Sequence, residues 1–292
     1  MSTIITNINN MDKPIIASKV GFVGAGNMAQ AIVTGMLDAE IIMPDQVIVS
    51  APSENNFSFW EEKGVKTTTV NAEVIRASDV IILSMKPQHL DEALKSFDRV
   101  PNNKLYISIL AGISIETLNE KLRTHFNYTE AGAEPWRIVR VIPNTPIMVG
   151  AGATAYSVSE TVTQEDSHLV KTIFSAGGLC ESVPERLLNA VGALSGSGPA
   201  YVYLMIEALC DGAVKMGLSR ALATQLTCQT LLGAAKMVQE TGKHPGQLKD
   251  EVCSPGGTTI TGIHILEQSG VRAALMGAVE KATQRSFELG NK

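Results

Sequence analysis

Two stretches of the chain carry residue types at spacings that could do chemistry. Residues 21–29 read GFVGAGNMA, which sets Gly24, Gly26 and Ala29 in the pattern G-x-G-x-x-A. Residues 250–262 read DEVCSPGGTTITG, a run of hydroxyls and bare backbone without a single cation. The first suits a dinucleotide pyrophosphate. Gly24 permits a tight turn, Gly26 lets the backbone approach the phosphates, and Ala29 lets helix and strand pack closely. The helix start at Asn27, Met28 and Ala29 supplies unpaired N–H groups and positive potential. By itself the pattern is weak; it gains meaning because it follows an apolar strand directly and opens a helix. The plain alternative is a tight turn.

The second stretch suits a carboxylate. Gly256 and Gly257 carry no side chain and let the backbone come close to a ligand. Amides at a loop-to-helix entry can grip an anion, with Ser254, Thr258 and Thr259 adding hydroxyls. An ordinary helix-start turn capped by threonine uses the same residues. His244 and His264, the nearest conventional acids in the sequence, read as surface or cap histidines rather than catalysts.

More candidates lie where strands of an α/β sheet run out, the edge at which such sheets bind ligands. The second strand ends at Ser50, where many NAD sites place Asp or Glu on the ribose. No carboxylate is there to repel a 2′-phosphate, and no arginine to clamp it, so NADPH is favoured and NADH stays open. Asn71 opens the helix after the third strand and is placed to reach the adenosine; a plain N-cap is the alternative. The next strands run into Met85, Lys86 and Pro87, into Ala111 and Gly112, and into Asn144 between two prolines. Lys86 offers a hydrogen bond to ribose or carboxamide, Ala111 and Gly112 room for a nicotinamide ring, and Asn144 a fixed amide.

The elements that would position these residues alternate. Apolar strands are expected at 19–23, 46–50, 65–68, 79–84, 105–110 and 137–142, with helices at 27–37, 53–63, from 71, 87–97 and 114–122 between them. An edge strand at 153–158, a helix at 164–175 and a last strand at 179–183 follow. Such alternation implies an α/β, Rossmann-like, doubly wound and mainly parallel sheet. After Pro184 no strand is expected. Helices are read from Pro199 to Lys215 with a stop at Gly217, from Ser219 to about 241, at 259–268 and at 272–289. The domains are thus a loosely ordered extension at 1–18, a dinucleotide-binding domain at 19–183 and an all-α domain at 184–292. The helix at 200–215 is apolar nearly all round, more than so small a half can bury, which calls for a second chain.

Composition narrows the classes. A net charge of −5, without a dense basic run, argues against nucleic acid as a partner. The longest apolar stretch, 200–210, is interrupted by Glu207 and followed by Asp211, so no membrane span is expected. Cys180, Cys210, Cys228 and Cys253 form no C-x-x-C pair and read as free thiols in a reducing compartment, with no metal. The first 18 residues have neither secretory nor mitochondrial leader character, so a cytoplasmic location is read.

Taken together, GAGNMA, the MKP and PNTP turns, SGSGPAY at 195–201 and HPGQLKDEVCSPGGTTITG at 244–262 resemble a pyrroline-5-carboxylate reductase, from about residue 19 to 289. The cradle is generic to dehydrogenases; the HPGQLKD and SPGGTT segments are specific. The resemblance implies NADPH or NADH as hydride donor and 1-pyrroline-5-carboxylate as acceptor, giving L-proline. It implies an all-α C-terminal dimerisation domain, with dimers that in many members assemble into larger rings. The cofactor would meet 24–29, Asn71, 85–87, Ala111 and Asn144, and the substrate carboxylate would meet 254–259. Thr259 matches the threonine that members place beside the imine nitrogen. The extension and a long polar loop at 123–135 depart from the usual pattern without touching a motif. Two other readings stay open: a hydroxyacid dehydrogenase using Lys215 or Lys236, and a dinucleotide sensor without catalysis.

Overall fold

The computed structural model describes residues 16–97, 104–126 and 136–290; most of the expected extension and of the 123–135 loop lies outside them. Eight strands make one sheet: β1 Val20–Val23, β2 Val47–Ser50, β3 Lys66–Thr68, β4 Val80–Leu83, β5 Leu105–Ser108, β6 Arg137–Ile142, β7 Gly152–Val158 and β8 Gly178–Ser182. Their order is β3-β2-β1-β4-β5-β6-β7-β8, parallel throughout except for the antiparallel pair β6–β7. β1, β2, β4 and β5 are buried along their whole length, as runs of β-branched and apolar residues demand when both faces are covered.

Helices cover both faces. On one lie α1 Asn27–Asp38, α2 Phe57–Glu62 and α6 Gln164–Ser175. There Ile32, Met36, Trp60 and Phe174 pack on Phe22, Val49 and Ile82, with the Phe22 and Trp60 rings 5.3 Å apart. On the other lie α3 Asn71–Ala77, α4 Leu90–Lys95 and α5 Ile115–His125, where Ile75, Leu94 and Leu118 pack on Val23, Ile81 and Tyr106. Alternate residues of each strand thus feed two cores, the period-2 consequence of the pleat. The register pairs Val23 with both Ser50 and Leu83, and Leu83 with Ser108, so the carboxyl ends of the central strands finish level.

One expectation about the sheet fails. The strand at 153–158 is not an edge; β7 lies inside the sheet, and β8 is the edge. Only a short 3₁₀ turn, Thr145–Val149, and a left-handed Gly150 (φ 68°) join β6 to β7. So brief a link can reverse the chain but cannot make a crossover, which forces the antiparallel pair. The helices expected at 53–63 and 87–97 each start as a 3₁₀ turn, Glu54–Asn56 and Pro87–His89, before becoming α-helical.

The chain divides into two compact units, one up to Gly196 together with the residues from Thr283, the other Ser197–Ala282. By compactness the division falls after Gly196. Arg140, 4% exposed on β6, donates to Glu185 (3.2 Å) and Asn189 (2.9 Å), and Glu185 also accepts from the Ile115 N–H (2.8 Å). That cluster fastens α7, Leu188–Val191, to the sheet.

The second unit is helical: α8 Gly198–Lys215, α9 Arg220–Thr241, α10 Pro245–Val252, α11 Thr258–Gln268 and most of α12 Val271–Gly290. Gly217 (φ 102°) stops α8, and Ser219 Oγ accepts from the Leu222 N–H (3.3 Å) to start α9. α10 was not expected; it is short and polar and is opened by His244 Nδ1 accepting from the Gly246 N–H (3.1 Å). No described helix is long and apolar enough to cross a membrane. Along α8 only Cys210 is buried, while Tyr203 is 61% and Leu204 67% exposed. One copy of the chain leaves this apolar helix largely bare.

Arg140→Met should lower stability by about 3 kcal/mol, because it strips Glu185 of its cation and Asn189 of its donor. Denaturant unfolding at matched protein concentration reads this; an unchanged midpoint would show that the cluster does not hold the unit together.

Candidate active site

The cradle is built by β1 running into α1. Gly24 has φ 113°, and a Cβ there would sit 2.7 Å from the Met85 backbone nitrogen and the Ser84 carbonyl carbon. Glycine is therefore required twice, by the turn and by the close pass against the end of β4. Ser84 seals that pass, its Oγ donating to the Gly24 carbonyl (2.8 Å). Ser84 was not singled out from the sequence; the only signal was a polar residue closing an apolar run.

Gly26 differs. Its backbone is extended (φ −77°, ψ 178°), and a Cβ would meet nothing within 4 Å. The chain's own packing gives no reason for glycine here. Gly26 is the N-cap of α1, and no side chain caps the helix. The amides that follow, from Asn27, Met28 and the buried Ala29, precede the first bond of the helix, which the Gln30 N–H makes to the Gly26 carbonyl (3.0 Å). An uncapped N-terminus of a 12-residue helix behind a bare backbone fits a pyrophosphate.

At the end of β2, Ser50 is fully buried, so its hydroxyl faces no ligand. It donates instead to Asn71 Oδ1 (2.7 Å). Asn71 is not the N-cap of α3 but its first residue; Val70 is the cap, and Thr68 Oγ1 takes the Val70 N–H (3.1 Å). The Asn71 amide also donates to Ser96 Oγ (2.8 Å). No acidic residue ends β2; Ala51, Pro52 and Ser53 follow it.

The other strand ends split. After β4, Met85 and Pro87 are half-buried and Lys86 is exposed. After β5, Ala111 is exposed, but Gly112 (φ 80°) lies where a Cβ would come within 3.1 Å of the Gly290 nitrogen. Its small size therefore serves the end of α12 rather than leaving room for a ring. After β6, Asn144 is buried: its Nδ2 donates to the Ser195 carbonyl (3.0 Å) and its Oδ1 accepts from the Ala153 N–H (2.8 Å). Its amide braces the chain at both ends.

The second unit carries the hydroxylated turn. α10 ends at Val252, and the interruption is only the five residues from Cys253 to Gly257. Gly256 has φ 66° with no atom near its missing Cβ, and Gly257 donates to the Ser254 carbonyl (3.0 Å). The cap of α11 is Gly257, without a side-chain bond, so the threonines do not cap this helix. Thr261 turns its hydroxyl back onto the Gly257 carbonyl (3.1 Å). The hydroxyls of Thr258, exposed, and Thr259, half-buried, have no hydrogen-bond partner among the described residues. Lys249 and Arg272 are engaged with Asp250 (2.7 Å) and Glu267 (2.6 Å). Among the described residues no three His, Cys, Asp or Glu come together as a metal cluster. Burial pushes the Cys180 thiol up to about 12, so it stays protonated and inert.

Comparison with known proteins joins these parts. The family described as pyrroline-5-carboxylate reductase dimerisation matches residues 185–289, and NADP oxidoreductase, coenzyme F420-dependent, matches residues 19–112. The chain is 44% identical over 283 residues to pyrroline-5-carboxylate reductase 3 of Danio rerio, covering 96% of this chain and 95% of that one. It is 45% identical over 276 residues to pyrroline-5-carboxylate reductase of Methanosarcina acetivorans, covering 94% and 98%. The crystal structure of the Plasmodium falciparum pyrroline carboxylate reductase with NADP bound superposes with a TM-score of 0.84 at 35% identity, covering 94% of this chain and 99% of that one. With its two compact units and both glycine turns inside matches of this extent, the chain belongs to the pyrroline-5-carboxylate reductase family.

Proposed function

We propose that this protein reduces the C=N bond of 1-pyrroline-5-carboxylate to give L-proline, with NADPH as hydride donor and NADH as a weaker substitute. The observation that carries the reading is the open, uncapped N-terminus of α1 behind Gly26, in a chain that belongs to this reductase family. Bound NADPH supplies the hydride that the imine carbon accepts. Asn27, Met28 and Ala29 offer amides to its pyrophosphate, and Asn71 contacts the adenosine end. Met85, Lys86, Pro87 and Ala111 line the strand ends for the remainder of the dinucleotide. With no carboxylate at the end of β2, nothing repels a 2′-phosphate.

The substrate carboxylate is assigned to the turn of Ser254, Gly256, Gly257 and Thr258. The nearby cations are engaged with acids, so backbone amides and hydroxyls do the gripping. Thr259 is assigned to the ring nitrogen. A cyclic imine is basic enough to arrive partly protonated, and the iminium is the better hydride acceptor. The hydroxyl, a poor acid, therefore holds and polarises the nitrogen rather than delivering the proton, and positioning does most of the catalysis.

Bare apolar α8 is the basis for assigning the homodimer to the second unit, and a larger ring of dimers is assigned to surfaces that remain after that pairing. The free thiols accord with a cytoplasmic location.

Purified protein should consume NADPH with 1-pyrroline-5-carboxylate and release proline, with higher kcat/KM for NADPH than for NADH. Absence of turnover with both cofactors would sink the assignment. Thr259→Ala should cut kcat at least tenfold while NADPH binding is kept, as for a group that meets only the reacting substrate; equal kcat refutes its role. Gly26→Val should weaken NADPH binding by roughly tenfold or more at unchanged Tm, because the space it fills belongs to the ligand. A lowered Tm with intact binding would place the clear space elsewhere. Leu204→Glu on α8 should shift the mass in sedimentation toward monomer, since a buried unpaired carboxylate is costly; an unshifted dimer would move the interface off this face.

A further inference from the structure

The Asn71 carboxamide is held by two serines from different elements. Ser50 Oγ, at the buried end of β2, donates to Oδ1 (2.7 Å). Nδ2 donates to Ser96 Oγ (2.8 Å) at the end of α4. Ser96 has a single hydroxyl proton, and it is committed to the Ala93 carbonyl (2.6 Å). Its oxygen can therefore only accept, which requires the nitrogen of the amide and not its oxygen on that side. Turned over, the amide would set Oδ1 against the Ser96 lone pairs and leave the Ser50 hydroxyl proton only the Phe22 carbonyl at 3.4 Å to donate to. Hydroxyl stoichiometry thus chooses one of the two amide orientations, where an isolated asparagine would populate both. What the half-buried side chain still offers is one N–H on the Ser96 side and one lone pair on the Ser50 side.

We propose that Ser96, with Ser50, is a positioning residue for cofactor recognition: it locks the Asn71 carboxamide so that a donor and an acceptor are presented in fixed places to the adenosine ribose of the dinucleotide. The inference rests on the assignment of Asn71 as a cofactor contact. Ser96 itself touches no ligand. Its effect is on the entropy and orientation of Asn71, so it acts on cofactor affinity and not on hydride transfer.

The test is NADPH titration of the full-length protein, with steady-state kinetics alongside. Asn71→Ala should raise the NADPH Kd about tenfold, and Ser96→Ala about three- to fivefold, the size of one net hydrogen bond. KM for NADPH should rise in step with Kd in Ser96→Ala while kcat moves less than twofold. Ser96→Thr, which keeps the hydroxyl, should restore wild-type binding. The double variant Asn71→Ala, Ser96→Ala should bind no worse than Asn71→Ala alone, because the lock has nothing left to hold. Full additivity in the double variant would mean that Ser96 acts elsewhere and would overturn the proposal. Unchanged Kd in Ser96→Ala beside a raised Kd in Asn71→Ala would overturn it too, leaving Asn71 as a contact. An unchanged Kd in Asn71→Ala would remove the contact itself.

Discussion

The first unit depends on one close backbone pass. Where β1 ends, Gly24 must turn with positive φ while lying against the backbone of Ser84 and Met85 at the end of β4. Any side chain would separate the two central strands at their carboxyl ends, just before α1 starts. From that pass follow the direction of α1, the clear volume before Gly26 and the level finish of β1, β2, β4 and β5. The chain spends conformational freedom at Gly24 so that Gly26 can leave room. The first glycine answers to the protein and the second to whatever the protein holds.

Most of the sheet was legible in the sequence because its strands are short, β-branched and buried on both faces, so composition alone marks them. The cradle was legible because its spacing is set by local geometry. Features that depend on partners distant in sequence were not. Asn144 looks like an exposed amide between prolines, yet its partners are Ser195 and Ala153. Gly112 looks like room for a ligand, yet the neighbour that needs the room is Gly290. Ser50 looks like a ribose contact but is sealed inside and bonded to Asn71. α10 escaped because its eight residues carry only two large apolar side chains, Leu248 and Val252, too few to show a period, and its start is fixed by a histidine nitrogen rather than by a familiar capping residue.

The two glycine turns reach similar ends by different routes. Gly26 has an ordinary backbone and an empty surround, whereas Gly256 also needs a left-handed conformation and Gly257 a tight approach to the Ser254 carbonyl (3.1 Å from a would-be Cβ). Both set helix amides beside bare backbone, at α1 and at α11, and neither helix is capped by a side chain. With glycine as the N-cap, the missing capping side chain costs roughly a few tenths of a kcal/mol of helix stability. α3 and α8 also start without a side-chain cap, so a missing cap does not by itself mark a ligand site; at α1 and α11 it is read together with the bare glycine backbone beside it.

The return of α12 has a different kind of consequence. Residues from Thr283 onward belong to the sheet unit, where Ser286 Oγ donates to Asn189 (3.1 Å) and Gly290 packs on Gly112. The sheet unit is therefore discontinuous along the chain, and Ser197–Ala282 is spliced into it with a covalent tether at each end. During synthesis the sheet can form early, but the β5–α5 corner stays unfinished until the helical segment has left the ribosome. The whole of Ser197–Ala282 is therefore synthesised before the sheet unit can be completed.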